Sequence, residues 1–116
     1  MRWLLNNAVI PAGAFGRYSY APLRVADIRP WLVERPFTSR IGCRETAYFT
    51  QRLTGITIPI SWEAMALEPG DEALVVRLRY RLADAALKRQ ALCLADDEWE
   101  IGRLTCLERL RPGEPV

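Results

Sequence analysis

The stretch Leu74-Val75-Val76-Arg77-Leu78-Arg79-Tyr80-Arg81-Leu82 alternates with period two, the repeat of a β-strand and not of a helix. Leu74, Val76, Leu78, Tyr80 and Leu82 share one face; Val75, Arg77, Arg79 and Arg81 share the other. The first face belongs in a core. The second lines up its guanidiniums about 7 Å apart, at roughly 3.4 Å of rise per residue. Like charges at that spacing repel unless something negative lies across them. The planar Arg fork suits phosphate oxygens. The stretch therefore reads either as the solvated outer face of an edge strand or as one wall of an anion site.

Around it the pattern predicts an α+β domain: a mixed central sheet of about five strands flanked by helices, one domain over residues 1–111 with a short tail at 112–116. Trp3 to Ile10 is apolar on both faces apart from Asn6 and Asn7, as a buried central strand is. Buried amides need partners, so that Asn pair either ties down a turn or faces a ligand. Arg17 to Ala21 alternates weakly, like an edge strand. A first helix is predicted from an Asp27 cap, with Pro30 in its first turn and Pro36 ending it. A second runs from about Cys43 to Leu53, closed by Gly55, with Thr46, Tyr48, Phe49 and Leu53 on its inward side. Glu68-Pro69-Gly70-Asp71 has the residues of a type II turn and predicts a hairpin between Trp62–Leu67 and Ala73–Leu82. Residues 83–99 fit a helix in part and a turn at Asp96-Asp97-Glu98; Ile101 to Leu110 reads as the last strand.

Composition narrows the function. The net charge of +2 is too small for a general nucleic-acid coat, and no stable DNA partner is expected. Three cysteines, Cys43, Cys93 and Cys106, without CxxC spacing argue against a disulfide framework or structural zinc. The chain has no His, which removes the commonest metal ligand and the commonest general base. No metal or cofactor is expected. No stretch is apolar enough to span a bilayer, so a cytoplasmic protein without a membrane partner is expected.

Chemistry concentrates at Ile41-Gly42-Cys43-Arg44-Glu45-Thr46. Gly42 permits a tight entry to a helix, and Glu45 falls in the first turn, where a carboxylate helps exposed amides. Helix N-termini attract anions and lower thiol pKa values. Cys43, with Arg40 and Arg44 beside it, is either a thiol in positive potential or a small inert hydrophobe. Set beside Arg77, Arg79 and Arg81, this helix start would complete a metal-free anion site. Asp84 would orient a guanidinium or a ribose hydroxyl, or simply serve a turn.

Over nearly all its length the chain resembles the small viral anti-CRISPR ring nucleases, a family met in a turreted icosahedral virus, phages, mobile elements and bacteria. The resemblance rests on Leu5-Asn6-Asn7-Ala8-Val9-Ile10-Pro11, Ser39 to Ala47, Thr54-Gly55-Ile56-Thr57-Ile58-Pro59, Leu67 to Val76, Tyr80-Arg81-Leu82 and Leu107-Glu108-Arg109. It implies a homodimer that binds cyclic tetra-adenylate, the second messenger of type III CRISPR defence, across the subunit interface. It also implies metal-independent cleavage, in which a ribose 2′-hydroxyl attacks the adjacent phosphate and leaves a 2′,3′-cyclic phosphate. By motif, Arg81 takes the place of the Arg that steadies the phosphorane, and Asp84 that of an assisting Glu. Asn7 and Thr46 correspond to ligand-side positions. Cys43 stands where the family has the His that protonates the leaving oxygen. A neutral thiol has a proton to give, but its ordinary pKa of about 8.5 suits neutral pH less well than the roughly 6.5 of imidazole. Three functions stay in view: a slow ring nuclease, a sponge that binds the messenger without cutting it, and a phosphate- or RNA-binding module unrelated to that signalling.

Overall fold

The computed structural model describes residues 1–8, 10–79 and 98–115. The chain forms a single compact α+β domain, a five-stranded mixed sheet with two helices among the described residues. The sheet is built around β1 (Arg2–Leu5), whose residues are all buried. A strand apolar on both faces needs cover on both and partners at both edges. It finds them in β3 (Thr38–Arg40) and β4 (Glu72–Leu78), each running parallel to it. The long β5 (Trp99–Arg109) pairs antiparallel with β4, and β2 (Gly16–Leu23) closes the far edge against β5. The order is β2-β5-β4-β1-β3.

Both helices lie on one face. There α1 (Ile28–Glu34) and α2 (Arg44–Thr54) pack Ile28, Trp31, Leu32 and Phe49 onto Leu4, Leu74, Val76 and Ile101. The Phe49 ring stacks on Trp99 with centroids 4.1 Å apart and planes 9° from parallel. On the opposite face, which carries no helix among the described residues, the core of Trp3, Leu5, Ala73, Val75, Leu104 and Cys106 packs with Leu67. The alternation of β4 thus holds, Leu74 and Val76 toward the helices and Val75 away from them. The second face is buried as well, because β4 is central in the sheet and not at its edge. A buried cation locks β1 to α1: Arg2, 5% exposed, lies 3.6 Å from the Trp31 ring centroid. It donates to the carbonyls of Trp31 at 2.7 Å and Arg35 at 3.0 Å. Those carbonyls end α1, where a cation is most favourable.

Three local expectations change. The turn forms, with Gly70 at φ 89° and the Asp71 amide donating to the Glu68 carbonyl at 2.8 Å. The hairpin does not, since β1 and β5 already occupy both edges of β4. Trp62–Leu67 runs instead as irregular chain that lays Leu67 against Trp3, Leu5 and Val75 on the second face. Tyr48, expected inward, is exposed; Ala47, Thr50 and Thr54 join Thr46 and Phe49 on the buried side. Asp27 does precede α1, but its carboxylate turns back to accept from the Arg24 amide at 2.8 Å and caps no α1 amide. The readings for residues 83–97 lie outside the described residues.

Two substitutions test this packing. Leu74→Ala empties a site in the middle of the helix-side core and is expected to lower unfolding free energy by about 2–5 kcal/mol. Gly55→Ala meets no neighbouring atom but must hold φ 72°, which costs roughly 1–2 kcal/mol for an L-residue. Urea unfolding followed by fluorescence measures both.

Candidate functional site

Because β1, β3 and β4 are parallel, their carboxyl ends reach one edge of the sheet together. Ligands of open α/β sheets favour that edge, where chains leaving neighbouring strands diverge. Asn6 and Asn7 follow β1, Ile41-Gly42-Cys43 carries β3 into α2, and Arg79 follows β4. The side-chain oxygen of Asn6 accepts from the Gly42 amide at 3.4 Å, which ties the exits of β1 and β3. Of the Asn pair, Asn6 therefore does the turn-tying, while Asn7 is exposed.

Cys43 is the N-cap of α2 in extended conformation, φ −116° and ψ 120°, and its side chain caps no amide. Its thiol instead donates to a Glu45 carboxylate oxygen at 3.0 Å. The half-buried sulfur thus faces a carboxylate across this bond. Arg44 is exposed at the first helical position, and Thr46 is buried at 4% exposure on the core side.

Beside this turn lies a cavity of about 520 Å³, bordered by Asn6, Asn7, Arg40, Gly42, Trp62 and Met65 among others. Its floor is organised by backbone pairing: Ile41 bridges Ile60 in parallel, and the Ser61 amide donates to the Ile41 carbonyl at 2.9 Å. The Arg40 guanidinium sits 5.2 Å from the Trp3 ring centroid and 3.2 Å from the Glu63 carboxylate. Cys43 does not border this cavity. The sequence singled out Gly42 and the Asn pair but gave Trp62 no role; its signal was an aromatic residue in a stretch read as a strand.

The negative group required across the basic face of β4 is Glu100 of β5. Arg77 donates its Nε to Glu100 at 2.7 Å, in the register that pairs the two residues. Tyr20 of β2 donates its hydroxyl to the same carboxylate at 2.8 Å, and the Arg77 guanidinium stands 5.7 Å from the Tyr20 ring centroid. The bonds from Tyr20 and Arg77 hold the Glu100 carboxyl below its usual range. Partial burial, and then the Glu100 carboxylate, push the Tyr20 phenol up to about 12. Arg79 is exposed at the end of β4 and donates its amide to the Glu98 carbonyl at 3.1 Å. Arg81 and Asp84 lie outside the described residues. The arrangement brings Asn7 and Gly42 to one cavity with Cys43 and Arg44 at its side, and sets Arg77 in an ion pair one strand away.

These features define a small α+β protein whose parallel strands deliver a glycine-cysteine helix start and two asparagines to one edge of the sheet. Residues 2–96 match the model of the STIV B116-like family, and the chain belongs to that family. Among solved structures it is similar to B116 of Sulfolobus turreted icosahedral virus, with a TM-score of 0.66 and 16% identity over 90% of this chain and 97% of that one. At that identity the likeness speaks for the fold. Comparison with curated proteins gave no match.

The Tyr20–Glu100–Arg77 cluster sets a pH dependence. Tyr20 has its phenol raised, so its contribution to stability is complete below about pH 10, the unfolded value, and is lost as pH climbs toward about 12. Glu100 has its carboxyl lowered, so its contribution holds above the ordinary carboxylate range and fades in acid. Tyrosinate absorbance, read as the difference between wild type and Tyr20→Phe, should give a midpoint near 12. In Glu100→Gln that midpoint should fall toward the ordinary value.

Proposed function

We propose that this protein binds cyclic tetra-adenylate in a pocket shared by two copies of the chain and cleaves it slowly without a metal, dampening type III CRISPR defence. The observation that carries the reading is the Cys43 thiol, hydrogen-bonded to Glu45 at the N-cap of α2. That is the position which, by the family resemblance, holds the general acid. In the proposed step a ribose 2′-oxygen attacks the adjacent phosphorus and gives up its proton to solvent. The P–O5′ bond breaks, the 5′-oxygen takes the Cys43 proton, and a 2′,3′-cyclic phosphate remains. Arg81 would offset charge on the phosphorane, and Asp84 would orient it. Asn7, Gly42, Arg44 and Arg79 would frame the ligand from the strand ends and the start of α2, with Thr46 buried behind them and Arg77 held by Glu100.

A second reading, capture of the messenger without turnover, is favoured by one observation. Cys43 points its proton at Glu45 and does not border the cavity beside it. Loss of a general acid costs roughly 10²–10⁴-fold in rate, which separates the two readings in one experiment. Single-turnover incubation with cyclic tetra-adenylate in EDTA is expected to give linear product with a 2′,3′-cyclic end. Cys43→Ser should slow it by about 10²-fold or more, and Cys43→His should speed it. Cleavage by Cys43→His alone would establish the sponge. A wild type that neither binds nor cuts the ring, and prefers linear RNA with a steep salt dependence, would leave only the unrelated RNA-binding module. Arg81→Ala is expected to abolish cleavage and weaken binding, and light scattering should find a dimer. Wild-type behaviour of the variant, or a monomer, would overturn the site.

A further inference from the structure

Trp62 is 83% exposed, whereas Trp3, Trp31 and Trp99 are all buried. An indole left in water forgoes the burial of its large apolar surface, and this one is not loosely placed. Its Nε1 donates to the Gly42 carbonyl at 2.8 Å. A Cβ at position 42 would stand 2.6 Å from the indole Cδ1 and 2.9 Å from Nε1, so the ring needs a glycine beneath it. The polar handle of the ring is thus used against the chain, and what remains outward is π surface. That surface borders the cavity of about 520 Å³ whose other walls include the amides of Asn6 and Asn7 and the guanidinium of Arg40. Amides offer both donors and acceptors to a base edge. Arg40 is the cation of the cavity wall: its Nη2 meets Glu63 at 3.2 Å, a carboxylate on a residue 78% exposed, and its buried Nε has no hydrogen-bond partner.

We propose that Trp62 is a stacking platform for one nucleobase of the bound ligand, with the attached phosphate turned toward Arg40. The inference rests on the cyclic-oligoadenylate reading and adds to it a base-binding subsite outside the cleavage residues. Position 42 becomes part of the same device: its glycine seats the indole as well as opening the helix. Aromatic platforms bind any base through its π face, and the Asn amides supply the choice among bases.

Trp62 is also the indole that a collisional quencher can reach, since the other three are buried. Titration with cyclic tetra-adenylate should quench its long-wavelength emission and shield it from acrylamide. Trp62→Ala should weaken binding roughly 5- to 150-fold, the span of one base–aromatic stack, and Trp62→Phe should lose less. If wild type binds the ring and Trp62→Ala binds it equally, the platform is overturned and the functional reading stands. If Trp62→Ala turns a dimer into a monomer, the ring is a contact between protomers and the platform is overturned too. If wild type does not bind the ring, the functional reading fails, and the same titration with linear tetra-adenylate decides the platform. Binding that needs Trp62 would keep it, and no binding would end it.

Discussion

A strand buried on both faces is held only if both of its edges are also filled, and β1 meets that demand with parallel partners. Parallel pairing on two sides has a geometric consequence, because every strand involved ends at the same edge of the sheet. The chain leaves β1 toward the distant β2 and leaves β3 directly into α2. Between those diverging paths a cleft is unavoidable, and its walls are whatever residues follow the strand ends. Asn6, Asn7 and Gly42 occupy those positions, and Cys43 follows just outside them. The site is thus a by-product of burying Trp3-Leu4-Leu5 from both sides, and its residues can vary without disturbing the core that frames them.

The same logic explains how charge is distributed. Arg2 is buried, and the Trp31 ring, two carbonyls at the end of α1 and the Glu72 carboxylate surround it. A buried cation without such partners would be expensive; with them it fastens the sheet to its first helix. Arg77 is balanced by Glu100, and Tyr20 completes that carboxylate's bonding. Both pairs cross between elements far apart in the chain, so they act as fasteners of register. Arg40 is balanced differently: its partner Glu63 is largely in solvent, where an ion pair is worth little.

Much of the fold was legible because period and punctuation agreed. Two-sided apolarity marked β1, alternation marked β4, and Gly55 at φ 72° closed α2 as its position required. The hairpin failed for a reason no local pattern contains: the turn residues at 68–71 were read correctly, but the edge of β4 that a hairpin needs had been taken by β1 and β5. Arg2 escaped notice because an Arg at the start of an apolar run looks like its solvated boundary. Its burial depends on the end of α1, about thirty residues away in sequence. In the site, the helix start was legible from Gly42 and Glu45. Trp62 was not, since its role depends on a carbonyl and a missing Cβ twenty residues earlier.

The substitution of a thiol for imidazole changes what Glu45 means. Beside an imidazolium, a first-turn carboxylate would hold the acid's charge and orient it. Beside Cys43, the same carboxylate accepts a hydrogen bond from the thiol and so occupies the hydrogen that the leaving oxygen of the proposed step would need. In the proposed step the Sγ–H would have to swing from Glu45 toward the leaving oxygen, a move that a bound phosphate would favour by repelling the carboxylate. The proposed binding would not depend on that swing: the asparagines, Gly42, Arg40 and the exposed indole all border a cavity from which Cys43 is absent. Under the proposed function, capture and cleavage would therefore draw on different side chains. Slow turnover on an intact binding surface is the outcome that such a division of labour would lead to.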